Sequence, residues 1–274
     1  MSTADDSPTS YFERIDERRY RPTRHAGGAW NADELHFSPV GGLVTHAIER
    51  FLAARGGAGG AGGGEMRIGR ISFDILGRIA VDDIEIHVET IRPGRTIELV
   101  EATLAIAGRS VVRARAWLLA AGDTASVAGG DTEPLPHPDR AEPWPMADLW
   151  SGGFIASIDV RTVGLPQPGR TTAWITTGLD LVAGEQAGPL ASYVALVDTA
   201  NGIAVRQPPG KWMFPNVDLT LHLHRQPRGE WAGLDTSVTF GAEGHGVTST
   251  VLHDVHGPIG QCQQMLTVRP LEAP

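Results

Sequence analysis

The chain is written twice. Helix-patterned segments open at Pro39 and at Pro189, 150 residues on, and strand-patterned segments then begin with Ser72-Phe-Asp-Ile75 and Asn216-Val-Asp-Leu219, 144 residues apart. A sequence that codes one order of elements twice has to form two equivalent units, each burying its helix against its own strands. In the first unit Val40, Leu43, Val44, Ala47, Ile48, Phe51 and Leu52 recur every three or four residues, the stripe of an amphipathic helix. Ser38 reads as its N-cap and Pro39 as its first helical residue. Segments near 67–76, 81–91, 96–106 and 110–119 then alternate at period two and are rich in Ile, Val, Leu and Thr, which predicts strands. Arg92-Pro-Gly-Arg95 and Ala107-Gly-Arg109 supply turns, so a meander of consecutive antiparallel strands is the simplest topology.

The second unit reads as a strand pair near 154–162 and 170–178, a helix from Pro189 to about 205, and a meander over 216–225, 232–241, 246–254 and 259–269. A helix followed by a curved antiparallel sheet, given twice, predicts an α+β tandem hotdog in which each sheet wraps a central helix. The expected divisions are an N-terminal arm (1–36), a first hotdog domain (37–120), a linker rich in Gly, Asp, Pro and Glu (121–148) and a second hotdog domain (149–274). The tip of the arm is expected to be mobile. Residues 56–64, GGAGGAGGG, read as a flexible spacer without the Lys and Ser/Thr of a phosphate-binding loop.

Charge and cysteine content narrow the partners. With 23 basic against 32 acidic residues the chain carries a formal charge of -9, which opposes non-specific attraction to nucleic acid or anionic lipid. No apolar run nears the ~18 residues of a membrane span, and the N-terminus has no signal-peptide core, so a cytoplasmic protein is expected. Cys262 is the single cysteine, which rules out an internal disulfide and suits a reducing compartment. Lys211 is the sole lysine; with heavy Gly, Ala and Pro usage this suggests a bacterium of high genomic GC.

Chemistry is expected where polar residues interrupt apolar faces. Leu190, Tyr193, Val194, Val197 and Ala204 form the stripe of the second helix, with Asn201 within it and Asp198 on its flank. A carboxylate held against apolar surface rises in pKa and basicity, making Asp198 a candidate general base; the bland alternative is that it bonds backbone or leans into solvent. On the last strand Gln264 shares a face with Cys262, Leu266 and Val268 and needs a polar partner beneath the sheet, which Asp198 or a backbone group would supply. Asn216 enters a strand whose apolar face is Val217, Leu219, Leu221 and Leu223, leaving Asn216, Asp218, Thr220, His222 and His224 on the other face, toward water or another subunit. His222 and His224 point the same way, as zinc ligands would, but no third ligand is suggested. No G-x-S-x-G elbow and no G-x-G-x-x-G after a strand is present, and a buried Cys262 would be inert.

With these residues in place the chain resembles the acyl-CoA thioesterase II family of double hotdogs. The resemblance rests on Leu196-Val-Asp198, on Asn216-Val-Asp218 leading to His224-Arg225, and on Gln264 before Val268-Arg269, over about residues 36 to 270. It implies hydrolysis of acyl-CoA, without a cofactor, by Asp198, Asn216 and Gln264 acting on a water; Asn216 stands where the family usually has Thr or Ser. It implies an oxyanion site at a helix N-terminus, and one site per chain, since Ile48 matches Asp198 in the first half. The acyl chain is expected near Trp212 and Phe214, and the phosphates of CoA near Arg206, Lys211, Arg225 and Arg228. A homo-oligomer is expected. Two rival readings stand beside it: a non-catalytic acyl-CoA-binding or scaffold hotdog, and an enoyl-CoA hydratase, which would need a His near Asp198.

Overall fold

The structure, a computed structural model, describes residues 9–55 and 65–271. The expected spacer at 56–64 and the tip of the arm, residues 1–8, lie outside the described residues. In the first half come β1 (Ser10–Arg14), β2 (Arg19–Pro22), α1 (Phe37–Ala54), β3 (Met66–Ile75), β4 (Ile84–Arg92), β5 (Ile97–Ile106) and β6 (Arg109–Ala120). There follow β7 (Glu142–Pro143), β8 (Ile158–Thr162), β9 (Arg170–Thr177), β10 (Asp180–Val182), α2 (Pro189–Val197), α3 (Ala200–Ile203) and β11 (Trp212–Met213). The chain closes with β12 (Asp218–Leu223), β13 (Ala232–Phe240), β14 (His245–Asp254), β15 (Gly257–Thr267) and β16 (Arg269–Pro270).

One 14-stranded sheet runs β10-β1-β2-β4-β5-β6-β3-β12-β15-β14-β13-β9-β8-β7, and β11 pairs separately with β16. The two halves are thus joined edge to edge through β3 and β12. Asp74 and Asp218, equivalent at the repeat spacing, are cross-strand partners, as are Phe73 and Leu219, so the seam follows the pseudo-twofold of the repeat. The meander expected in each half is only partly formed. β4-β5-β6 and β13-β14-β15 are consecutive, but β3 pairs with β6 and β12 with β15. Tight turns, such as Ala107-Gly108 with both φ positive, force their strands to be neighbours; the longer stretch between β3 and β4 does not.

The segment before residue 37 differs from the arm the sequence suggests. β2 pairs with β4 as β9 pairs with β13, so β1 and β2 occupy in the first half the place of β8 and β9 in the second. Two short strands set among charged residues give too little alternation to stand out, yet Tyr11, Phe12 and Tyr20 are completely buried.

The helices lie side by side on the concave face and run antiparallel. Ser38 near the start of α1 meets Thr199 just past α2, their hydroxyls 3.4 Å apart, while Glu49 toward the end of α1 reaches Gly188 at the start of α2. They approach closely because Gly42 carries no side chain: a Cβ there would lie 2.5 Å from that of Ala195. With α1 on one side and the sheet on the other, α2 is buried all round from Leu190 to Val197, save Ser192. It stops earlier than its apolar pattern suggests, at Asp198, and resumes as the short α3, where Asn201 donates to the Phe214 carbonyl at 2.9 Å. α1 also begins earlier than expected: His36 is the N-cap, its Nδ1 accepting the Ser38 N–H at 3.1 Å, so Ser38 lies inside the first turn.

Candidate active site

Asp198 caps the C-terminal end of α2, facing the opening turn of α1. It is 7 % exposed. Its Oδ1 accepts two amide hydrogens, from Asn216 Nδ2 at 2.7 Å and from Gln264 Nε2 at 2.8 Å. Its Oδ2 accepts no hydrogen bond from the described residues; the His36 Nδ1 atom lies 3.9 Å away. Burial drives the carboxyl up to about 6, against the two amides, which favour the charged form. Position adds to this in the same direction, since a helix C-terminus presents its carbonyls.

Three separate parts of the chain bring these groups together. Gln264 lies on the inner face of β15, 1 % exposed, flanked at period two by buried Cys262 and Leu266. Asn216 arrives differently from its expected place on the outer face of a regular strand. Thr220 to Leu223 keep even register with β15, but Asn216 bridges Leu266, one residue out of step. Val217 and Asp218 both engage Met265: Val217 donates its N–H to the Met265 carbonyl at 2.9 Å, and the Asp218 carboxylate accepts the Met265 N–H at 2.6 Å. This is a β-bulge, and it turns Asn216 inward to Asp198 while leaving Val217 43 % exposed instead of on the apolar inner face. A second bond, from Asn216 Nδ2 to the Asp218 carbonyl at 3.0 Å, holds the amide in place.

The carboxylate opens on a cavity of about 320 Å³ lined by Asp198, Asn201, Asn216 and His36 together with Trp30, Leu35, Phe37, Ile75, Ile79, Met146, Trp150 and Ile155. Its aromatic wall is ordered edge-to-face, with Trp30 against Trp150 at 4.8 Å and against Phe214 at 5.1 Å, and the Trp150 indole donates to the Gly202 carbonyl. Asn201 Oδ1 is buried without a partner.

The other residues singled out in the sequence lie elsewhere. Arg206, Lys211, Trp212, Phe214 and Arg225 do not line the cavity; Phe214 sits behind its wall, and Trp212 in the β11–β16 pair. The Arg225 guanidinium is committed to the buried Asp254, at 2.7 Å from Oδ1, and to the Gly257 and Pro258 carbonyls, so it braces the β14–β15 turn. Arg228 lies at the same corner, its N–H donating to Asp254 at 2.8 Å. The cation at the cavity is Arg78, whose Nε lies 3.1 Å from Glu34. In the first half Ile48 is fully buried, and the carboxyl that faces the opening turn of α2 is that of Glu49, pushed up to about 7 by burial and held by the Gly188 and Ala191 N–H groups. Cys262 is buried and its thiol is pushed well up by burial, as an inert core thiol would be.

Sequence reasoning missed His36 and the wall residues Trp30, Met146 and Trp150. They lie in segments read as arm and linker, or just beyond them, and the only sign was a bulky aromatic stranded among polar residues.

Comparison with known proteins accords with the two-unit fold. Residues 27–119 match the acyl-CoA thioesterase N-terminal domain and residues 138–268 the acyl-CoA thioesterase C-terminal domain. No curated protein matches by sequence. A putative thioesterase from Novosphingobium aromaticivorans superposes with a TM-score of 0.70 at 19% identity, over 94% of this chain and 98% of that one. The acyl-CoA thioesterase II TesB2 from Mycobacterium marinum gives 0.64 at 15% identity, over 96% of both chains. A hot dog protein of unknown function from Alicyclobacillus acidocaldarius gives 0.69 at 14% identity, over the whole of both chains. At such identities the superpositions speak to fold, which is the tandem hotdog. With both of its halves matched in order, the chain belongs to the acyl-CoA thioesterase family of thioester hydrolases.

Proposed function

We propose that this protein hydrolyses acyl-CoA to free acid and CoA, with Asp198 as the general base that activates a water. The observation that carries the reading is the asymmetry of the Asp198 carboxylate: Oδ1 is fixed by two amides and Oδ2 is left toward the cavity. Asn216 and Gln264 each give one amide hydrogen to Oδ1, and Asn216 gives its other to the Asp218 carbonyl, so they orient the carboxylate. A nucleophilic water is best anchored through its own O–H groups, leaving a lone pair for attack. In this reading Asp198 Oδ2 takes one hydrogen and a carboxamide oxygen of the asparagines lining the cavity takes the other, Asn201 Oδ1 being buried without a partner among the described residues.

The water oxygen attacks the thioester carbon as its proton passes to Asp198. The C=O electron pair moves onto oxygen, where the first-turn N–H of α1 at Phe37 stabilises it. Collapse expels the CoA thiolate, which takes the proton back from Asp198. A thioester is already activated, so ~10² to 10⁴ from the base plus an oxyanion site is adequate. In this reading Asn216 replaces the family's hydroxyl without loss, because an amide supplies both a donor to the carboxylate and an acceptor to the water. The acyl chain lies along the Trp30–Trp150 wall, and Arg78 offers the local positive charge for CoA phosphates.

The observation that favours a hydratase is His36, a histidine beside Asp198 contributed by the first half. Its chemistry argues against that role. Because Nδ1 accepts the Ser38 N–H, the neutral ring carries its proton on Nε2 and has no lone pair there to remove a proton from substrate. Thiol release from acyl-CoA substrates of graded chain length tests the proposal. Turnover that falls ~10² to 10⁴-fold in Asp198→Ala is expected; hydration of an enoyl-CoA, or acyl-CoA binding without thiol release, would contradict it.

A further inference from the structure

We propose that His36 is a catalytic residue of this site, donating its Nε2–H to the thioester carbonyl oxygen as negative charge develops there. This rests on reading Asp198 as the base. Four observations converge on it. The residue immediately precedes α1, so its ring sits where the helix presents its first N–H groups to the cavity, and it lines that cavity with Asp198. The ring is held on two sides: Phe154 lies against its face at 4.3 Å, and Nδ1 is fixed by the Ser38 N–H at 3.1 Å. That bond fixes the tautomer with the proton on Nε2. Finally, Nε2 makes no hydrogen bond with the described residues, yet it is not among the side-chain atoms shut away from solvent. A donor whose direction is set and whose partner is missing, at the mouth of a helix N-terminus, suits an oxygen that becomes charged only during reaction.

The ring's charge state suits the role. Burial lowers His36 to about 3, and an acceptor role at Nδ1 leaves no room for a second proton. The imidazole is therefore neutral wherever Asp198 is ionised, so the 3.9 Å approach of Nδ1 to Oδ2 is no ion pair and does not compete with the attacking water. A neutral imidazole acts as an electrophile, polarising a carbonyl without giving up its proton. The water's oxygen bonds to the carbonyl carbon, its proton moves to Asp198, and the π pair settles on oxygen between His36 Nε2–H and Phe37 N–H. When the C–S bond breaks the pair returns to carbon, and His36 is unchanged.

His36→Asn separates donor from cap. Asparagine is a good N-cap and can still accept the Ser38 N–H, but it is too short to reach the place of Nε2. His36→Gln puts an amide N–H nearer that reach. With a saturated acyl-CoA, His36→Asn is expected to lose ~10² to 10³-fold in kcat with little change in KM. Its melting temperature and the acidic limb of its pH profile should match the parent, and His36→Gln should regain part of the loss. A loss in kcat accompanied by a moved acidic limb or a lowered melting temperature would make His36 a structural support and overturn the proposal. So would parental kcat in His36→Asn while Asp198→Asn is inactive; that result leaves the base intact. Parental turnover in Asp198→Asn would instead bring down the reading of the whole site.

Discussion

The two oxygens of Asp198 have separate partners, and this division sets its titration. A carboxyl lifted from 3.8 to about 6 by burial is paired with its proton in the folded chain over a range where the unfolded chain has released it. The cost of the charge is absent below about pH 4, grows as pH rises through 4 to 6, and is complete above, at ~3 kcal/mol. An Asn at 198 keeps an oxygen for both amides and never ionises. Asp198→Asn should therefore match the parent in urea stability at pH 4 and exceed it by up to ~3 kcal/mol at pH 8, while losing activity. Equal stability at pH 8 would show that the carboxylate is better solvated than its burial indicates. In the proposed mechanism the same ionisation gates the base, so kcat/KM should rise with pH to a plateau with a midpoint near 6. Gln264 favours the charged form, and Gln264→Leu should move that midpoint to higher pH. Asn216→Thr should stay active, whereas Asn216→Leu, which leaves the carboxylate free to swing, should lose as much as ~10²-fold. Steady-state profiles of the three variants settle these together. Asp198 and Gln264 were legible because each is a polar residue on an otherwise apolar face. His36 was not, because a histidine N-cap leaves no periodic mark and its neighbour lies 162 positions away in the other half.

At the scale of elements, the repeat made the helices and most of the strands readable, since each long segment carries its own period. The sequence does not carry register faults or short edges. The bulge at Val217–Asp218 interrupts a run that alternates perfectly on paper, and it is a side-chain carboxylate taking the Met265 N–H that puts the ladder out of step. Likewise β1 finds its outer partner in β10, with Ser10 opposite Asp180, a parallel pairing no local pattern announces. What positions Asp198 at this scale is the crossing of α1 and α2. Gly42 sits in that crossing with Ala191 and Ala195 opposite, and a methyl there would meet the Ala195 Cβ at 2.5 Å and the Ala191 carbonyl at 3.0 Å. Backbone cannot retreat as a side-chain tip can. Gly42→Ala should thus destabilise by ~1 to 3 kcal/mol from overpacking, outweighing the ~1 kcal/mol that alanine gains in a helix. Because α2 ends at Asp198, the displacement should also lower kcat more than it raises KM. A melt showing a more stable Gly42→Ala variant would mean that the helices can part without cost.

The whole molecule is one body made of two copies, and the site exists only between them. His36 and Phe37 come from the first half; Asp198, Asn216 and Gln264 come from the second. The halves share a sheet through β3 and β12 and a helix crossing above it, so parting them would expose two strand edges and the apolar faces of both helices at once. A chain of 274 residues is long enough to unfold in stages, and the matched halves invite the expectation that each would melt alone. The seam argues otherwise: neither half has a complete surface of its own, so loss of one strips the other of a strand partner and of the helix packed against its own. In urea, far-UV circular dichroism, tryptophan fluorescence and catalytic activity should fall along one curve. Phe73, fully buried and opposite Leu219, is the residue to probe, because its ring belongs to the first half and its partner to the second. Phe73→Ala should cost ~3 to 5 kcal/mol and move all three midpoints together. Activity lost ahead of the optical signals, or a fluorescence curve splitting in two, would mean that the repeats fold as separate domains and meet only loosely at the site.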